Sequence, residues 1–341
     1  MADQKPLRFG ILGAANIARL FATGAAAVDG VDITALASRD AAKGRAFASE
    51  IGVPNVHSSY DALLADPAID AVYIPLPNTM HAEWVIRAAA AGKHILCEKP
   101  LAMSAAETAG MFAAAKAHGV YLVEAYPYRS QPQTLKVRDL LAEGAIGKPQ
   151  LVHASFGFTF AQQSNIRLDP ARGGGALLDA GSYATSFVRL VAGECPTRAF
   201  ATAKWGETGV DLTAAGTLEF ASGLLAQIWC SFSTAFHRHA LVAGRDGMLE
   251  TQYLNHPPEG GPAEVYLRRG RLATTPREVI QTTGGSGFTA EIASFRDMVV
   301  HGPDHWNGAT PQESMDIMAT LEALAASAKT GGWVDVVSAK V

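Results

Sequence analysis

The chain has 341 residues, 48% of them hydrophobic and 18% charged, with a formal net charge of −4. That length suits two domains with sizeable cores, and a slightly acidic chain with no basic run or aromatic-basic stripe gives no footing for a nucleic-acid partner. No apolar run reaches the roughly 18 residues that span a membrane, the opening MADQKPLRFGILG lacks the charged-then-apolar order of a secretory signal, and the scattered Cys97, Cys195 and Cys230 suit neither a disulfide framework nor zinc, so a cytoplasmic protein without a membrane partner is expected.

Residues 7–13 (LRFGILG) read as a short buried strand and 14–28 as a helix of 3.6-residue periodicity. A strand at 31–38 and a helix at 41–52 repeat the pattern. Buried strands at 71–77 and 94–99 flank a helix at 81–92. Ser104 and Glu107 stand at capping-box spacing at the head of a helix over 104–119, and a strand at 120–125 follows. Alternating strands and helices of this kind force parallel pairing with right-handed crossovers. The predicted fold class is α/β, with a doubly wound Rossmann domain over residues 1–126.

After residue 126 the pattern changes. A helix over 132–147 precedes strands at 150–160, 198–205, 212–220 and 224–234. Ser222-Gly223 suits a hairpin turn, and 241–251 reads as a second hairpin. Partial alternation of apolar and polar residues suits a large, open, mostly antiparallel sheet with one covered face. Helices at 289–300 and 311–329 follow, the second opening with Thr310, Pro311 and Glu313 as cap, first-turn proline and capping box. The stretch 255–285, rich in Pro, Gly and Thr, reads as irregular loop around a short strand at 264–267. Residues 127–341 are thus expected to form an α+β substrate-binding and oligomerisation domain. Phe156, Phe158, Phe160, Trp229 and Phe232 on an open sheet would need cover, so a homodimer or homotetramer through this sheet is expected.

Between the first strand and first helix lies GAANIA, Gly13 to Ala18. It keeps the first glycine of the dinucleotide fingerprint G-x-G-x-x-G and carries Ala15 and Ala18 at the other two. Gly13 permits the tight turn, a small residue at 15 lets the backbone approach a pyrophosphate, and the helix start, Asn16 and Ile17 included, offers N–H groups to it. The second strand ends in Ser38 and Arg39, with Lys43 one turn on, where an NAD site usually carries a carboxylate. A hydroxyl and a guanidinium suit a 2′-phosphate, so NADP(H) is the expected cofactor, with NAD(H) the alternative. Asp40 could instead pair with Arg39.

The run HILCEKPL places Glu98, Lys99 and Pro100 at a strand end. Ligands of doubly wound sheets sit outside such ends. A lysine there can stabilise a developing alkoxide, and a cis Lys-Pro bond would aim it. Further on, RLDPARGGGALLDAGSY puts Asp179 and Tyr183 four residues apart, on one side if helical. A tyrosine near a lysine is a proton shuttle for alcohol oxidation, since the ammonium lowers the phenol pKa. His237 and His239 could share one strand face, but no third ligand accompanies them, and no metal is expected.

The segments GILGAANIA, PLPNTMHAEWVIRAAAAGKHILCEKPL, EAYPYRSQP, EGAIGKPQLV and GGGALLDAGSY resemble the Gfo/Idh/MocA family of NAD(P)-dependent oxidoreductases. Within it, NIRLDPARGGGALLDAGSY and the Ser-Arg after the second strand look most like the NADP-linked D-xylose 1-dehydrogenase and dimeric dihydrodiol dehydrogenase branch. The resemblance implies that Lys99 is the catalytic lysine, Tyr183 the acid/base and Asp179 a contact of substrate and lysine. It implies that Pro77, Asn78 and His81 line the nicotinamide ribose, that Glu98 lies on the cofactor side, and that Arg129 and Arg167 lie near the substrate. The implied reaction is hydride transfer between the nicotinamide and a sugar or polyol hydroxyl, C1 of an aldopyranose giving a lactone. A trans-dihydrodiol, an anhydro-ketose or an inositol is the alternative substrate, and a non-catalytic NADP(H) sensor the alternative role. Loops 155–175 and 230–260 are expected to shape the pocket.

Overall fold

The computed structural model describes residues 5–160, 165–256 and 263–341. Six short strands, β1 (Leu7–Leu12), β2 (Val31–Ala37), β3 (Asn55–His57), β4 (Ala71–Ile74), β5 (His94–Glu98) and β6 (Leu122–Ala125), pair in the order β3-β2-β1-β4-β5-β6. All pairs are parallel. Such strands are buried on both faces, which is why their sequences are continuous apolar runs rather than alternating ones. The helices α1 (Ile17–Ala25), α2 (Ala41–Glu50), α3 (Tyr60–Leu64), α4 (His81–Ala90) and α5 (Ala105–Ala117) supply the crossovers. The strand order reverses between β1 and β4, which opens a crevice at their C-terminal ends.

β3 and α3 stand where no element was anticipated. Three and five residues are too few for periodicity to register.

The second sheet has nine strands: β7 (Pro149–Thr159), β8 (Arg198–Trp205), β9 (Asp211–Glu219), β10 (Leu225–Ser231), β11 (Ser233–Gly244), β12 (Gly247–Thr251), β13 (Ala263–Arg269), β14 (Glu278–Thr282) and β15 (Val334–Asp335). Their order is β14-β13-β12-β11-β7-β10-β9-β8-β15. The hairpins expected at Ser222-Gly223 and within 241–251 are present as β9–β10 and β11–β12. One central pair, β7 with β10, is parallel. β14 falls inside the stretch expected to be loop; it is a half-exposed edge strand without apolar alternation, and 257–262 of that stretch lie outside the described residues, as do 161–164 of the expected pocket loops.

Helices α6 (Pro132–Ala142), α7 (Ser182–Ala192) and α9 (Pro311–Thr330) pack with this sheet on one face. The alternation along β7 assigns the faces. Phe156 pairs with Cys230 and Arg238 and points to the helix side, where it meets Tyr183 at 5.5 Å between ring centres. Phe158, Phe160 and Phe232 continue that aromatic row. These four rings are therefore not the uncovered face, because even-numbered positions of β7 turn inward. The open face carries the paired Leu151 and Leu225, 53% and 43% exposed, with Trp229 four residues further along β10 on the same side.

The remaining helix, α8 (Gly287–His301), returns to the first sheet. Phe288, Ile292, Phe295 and Met298 are buried against Phe9 and Phe21. A division of the chain at 126/127 therefore leaves one late helix on the early core.

Candidate active site

Lys99 follows directly on β5, so the parallel sheet delivers it to the rim of the crevice. The Lys99-Pro100 bond is cis. Asp179 sits on a π-helical turn, Leu177–Gly181, which runs into α7 and carries Tyr183 one turn later. Glycines shape the approach to this turn. A Cβ on Gly174 would stand 2.5 Å from the Arg167 carbonyl oxygen, and one on Gly175, whose φ is +125°, would collide with Asp211. The three glycines thus serve close packing of the chain on itself.

These elements bring four predicted residues together. Lys99 Nζ donates to Asp179 Oδ1 at 2.5 Å, and Arg167 Nε donates to Asp179 Oδ2 at 2.6 Å. Lys99 Nζ lies 4.8 Å from the Tyr183 ring centre. Burial alone would raise the Asp179 carboxyl, but the two cations outweigh it and hold it well below the usual carboxylate range. Burial lowers the Lys99 ammonium, and Asp179, Tyr183 and Glu98 more than reverse this. Burial raises the Tyr183 phenol, against the pull of the Lys99 and Arg238 cations. The site therefore holds a charged amine beside a protonated phenol.

The nucleotide side has the form of a phosphate cradle. Gly13 adopts φ +104° and lies over Leu76, where a Cβ would approach to 2.9 Å. α1 begins at Ile17 with no side-chain cap; the Ala18 and Arg19 N–H groups turn back to the Ala15 and Asn16 carbonyls, so a pyrophosphate would be met by the Ile17 N–H and the turn before it. Asp40 caps α2, accepting from the N–H groups of Ala42 and Lys43 at 3.0 Å. It forms no ion pair with Arg39, which leaves the exposed Arg39 and Lys43 side chains beside the end of β2. Ser38 differs from expectation: it is buried and its hydroxyl donates to the Asp40 carbonyl at 2.8 Å, so it shapes the turn. Pro77 and Asn78 lie on the turn after β4, and Asn78 Nδ2 donates to the Gly173 carbonyl, tying that turn to the glycine loop.

Three other expectations change. His81 is fully buried, with its ring nitrogens 3.0 and 2.8 Å from the Pro100 and Leu76 carbonyl oxygens. It locks the two turns together and has no edge left for a cofactor. Glu98 is buried and accepts from the Tyr73 hydroxyl at 2.6 Å, inside the sheet layer; burial raises its carboxyl above the usual value. Arg129 is buried and committed to Glu313 at 2.5 Å and to Ser186, so it anchors α9 rather than facing a substrate.

Two residues at the site were not foreseen. Asn255 Nδ2 donates to the Tyr183 hydroxyl at 3.0 Å, and Arg238 Nη1 donates to Asn255 Oδ1 at 3.2 Å. The sequence does hold one signal for Arg238. In FHRHALV, positions 236, 238, 240 and 242 form one face of β11, and a cation there interrupts an otherwise apolar register. His237 and His239 take the opposite face, where His237 packs against Trp229. On the far side of the glycine loop, a cavity of about 460 Å³ lies between α9 and β8–β9; neither Lys99 nor Tyr183 lines it.

Residues 7–126 match the model of the GFO_IDH_MocA oxidoreductase family, NAD-binding Rossmann fold, and residues 134–250 match the GFO/IDH/MocA C-terminal domain. The D-xylose 1-dehydrogenase (NADP(+)) 2 of Haloferax volcanii is 38% identical over 337 residues, covering 97% of this chain and 100% of that protein. The trans-1,2-dihydrobenzene-1,2-diol dehydrogenase of Mus musculus is 34% identical over 74% of this chain and 77% of its own length. A 3-ketoreductase of Actinomadura kijaniata, solved with NADP and TDP-benzene, superposes with a TM-score of 0.86 at 30% identity over 95% of this chain and 98% of that one. With both sheets matched in sequence and almost the whole chain matched in structure, the protein belongs to the Gfo/Idh/MocA family of oxidoreductases.

Proposed function

We propose that this protein is an NADP(H)-dependent dehydrogenase acting on C1 of an aldopyranose of the D-xylose type, with a lactone as the product. The observation that carries the reading is the meeting of Lys99, Asp179 and Tyr183 at the end of β5. Support for NADP comes from Arg39 and Lys43, two cations at the end of β2 with no carboxylate partner among the described residues, and from the 38% identical NADP-linked relative.

Bound NADP⁺ supplies the hydride acceptor. The chain's own residues do the rest. The Asp179 carboxylate fixes the Lys99 ammonium in place, and that ammonium stabilises negative charge on the substrate oxygen. Tyr183 rests as the phenol; for oxidation it first releases its own proton to solvent, and the phenolate then takes the hydroxyl proton while the C1–H hydrogen leaves as hydride and C1–O becomes a carbonyl. Reduction runs the same steps backwards, with the phenol as acid. The aromatic row Phe156, Phe158, Phe160 and Phe232 runs on from the Tyr183 ring and supports a second reading, in which a flat cyclic trans-dihydrodiol is the substrate.

The test is nicotinamide absorbance with NADP⁺ and NAD⁺ separately, against D-xylose, D-glucose, L-arabinose, an inositol and a cyclic trans-diol. Turnover of D-xylose with NADP⁺ is the expected result. Turnover of the diol alone transfers the assignment to the second reading. Tight NADPH binding with no oxidation or reduction of any compound would make the protein a sensor.

A further inference from the structure

Arg238 is a buried cation, 6% exposed, with no carboxylate partner among the described residues. Its guanidinium carbon lies 4.2 Å from the centre of the Tyr183 ring, 4.7 Å from Phe156 and 4.9 Å from Tyr253. Its Nε and Nη2 are buried without acceptors among the described residues. Such an uncompensated charge is costly unless it serves another group. Burial lowers its pKa, but a guanidinium starts high enough to stay charged.

Its hydrogen bonding points to what it serves. Arginine can only donate, so the oxygen of the Asn255 amide must face Arg238. The NH₂ end of Asn255 must then face Tyr183, and the phenol oxygen receives a hydrogen bond. A hydrogen bond received by that oxygen favours the phenolate, and it leaves the phenol's own proton free to point toward a substrate. Asn255 cannot turn away. Its carbonyl accepts from Gly287 N and Gln131 Nε2 at 2.8 and 2.5 Å, and two residues earlier Tyr253 holds a left-handed φ of 37°, pinned by its hydroxyl on the Ser155 carbonyl.

We propose that Arg238 and Asn255 form a polarising relay that positions and charges Tyr183 for proton transfer, through groups separate from the Lys99–Asp179 pair. The proposal rests on the acid/base reading of Tyr183 given above. The two sets of groups differ in kind. Around Lys99, the Asp179 carboxylate cancels one of two cations, Lys99 and Arg167, and Glu98 opposes ionisation. Tyr126 and Tyr128 pack on Tyr183 at 5.4 and 6.0 Å as further phenols. Arg238 has no carboxylate partner among the described residues, and its charge is undivided.

The full-length protein labelled with [¹³Cζ]tyrosine tests this without substrate. The Tyr183 signal is assigned by its loss in Tyr183→Phe, and its titration is followed in the wild type, Arg238→Met, Arg238→Lys and Asn255→Ala. The expected result is a Tyr183 midpoint about one pH unit or more higher in Arg238→Met and Asn255→Ala, a tenfold change in acidity, and restored for the most part in Arg238→Lys. Should Arg238→Met fail to fold, the half-buried Asn255→Ala decides. A midpoint that does not move in folded Asn255→Ala, or a wild-type Tyr183 that does not ionise before the protein unfolds, overturns the relay. A Tyr183→Phe enzyme that keeps its turnover overturns the acid/base reading instead, whatever the titration shows.

Discussion

The Lys99 ammonium and the Tyr183 ring stand 4.8 Å apart, yet neither polar group binds the other. The ammonium is held by Asp179 at 2.5 Å and the phenol oxygen by Asn255 at 3.0 Å. Each is fixed by its own partner, so a substrate hydroxyl entering between them meets two pre-set groups rather than a pair that must first be parted. Fixed charges of this kind act without reorganising during the reaction.

Replacement of Lys99 by Met removes the ammonium and keeps the stem. Turnover is expected to fall by about a thousandfold, the scale of losing a pre-organised oxyanion donor. NADPH affinity, read by fluorescence, is expected to change only a few-fold. Loss of both together would mean that Lys99 holds the cofactor rather than the reaction.

Asp179→Asn leaves Lys99 and Arg167 facing each other without their counter-ion. Lys99 and Asp179 are 11% and 16% exposed in their side chains, so breaking this pair is expected to cost about 3 kcal/mol in urea unfolding at pH 7. The Arg167 leg is 40% exposed and adds little. The Asp179 carboxyl is depressed in the folded state, so its contribution is complete above the ordinary carboxyl value of 3.8 and is lost as pH falls through the folded value. The gap between wild type and variant should therefore hold from pH 7 to pH 5 and close only in strong acid. A gap that closes near neutrality contradicts the clamp.

Glu124 gives the opposite sign. It is buried at the end of β6, accepts from the Leu101 N–H at 2.9 Å, and burial pushes its carboxyl up from 4.5 to about 7. The folded state then holds a proton that the unfolded state releases, so stability declines as pH rises from about 4.5 to about 7. Glu124→Gln keeps the acceptor and removes the charge. The variant is expected to match the wild type near pH 4.5 and to exceed it by up to about 3 kcal/mol above pH 7. Parallel stability curves from pH 4.5 to 8 would show that Glu124 stays ionised.

Arg39→Ala is expected to lower NADPH affinity about tenfold and to leave NADH affinity unchanged, the loss of one charge-assisted contact to a 2′-phosphate. Equilibrium fluorescence titration with both nucleotides checks it. Equal losses for the two would place Arg39 on a part of the cofactor that they share.

The open sheet face, with Leu151, Leu225 and Trp229, is expected to join two copies of the chain. Light scattering should report a dimer or tetramer, and Leu151→Asp with Leu225→Asp should reduce it to monomer. A wild-type monomer at micromolar concentration would free this face for some other role.

Much of the Rossmann half was legible because its strands are continuous apolar runs and its helices carry caps that can be read locally. Lys99, Asp179 and Tyr183 could be read as candidates, since strand-end position and i, i+4 spacing are local properties, whereas Arg167 was implied only by the family resemblance. What failed was non-local. Arg129 and Arg167 look alike in sequence, and only folding shows that Glu313 captures the first and Asp179 the second. His81 sits on the expected turn but turns its ring inward to two carbonyls. Which of Phe156, Phe158, Phe160 and Trp229 face the helices could not be read locally, because strand parity depends on the register with β10 and β11. Asn255 comes from a stretch that reads as loop, and nothing in its neighbours announces a tyrosine 72 positions earlier.

The return of α8 to the first sheet also has a consequence for how the protein is made. Phe288, Ile292, Phe295 and Met298 close over Phe9 and Phe21, so the earliest-synthesised sheet lacks one of its covering helices until nearly the whole chain has left the ribosome. A nascent chain halted before Gly287 would display those phenylalanines to water and to other nascent chains. The amino-terminal half is thus completed last, and a fragment ending at residue 126 is expected to need a chaperone or a supplied α8 peptide to remain in solution.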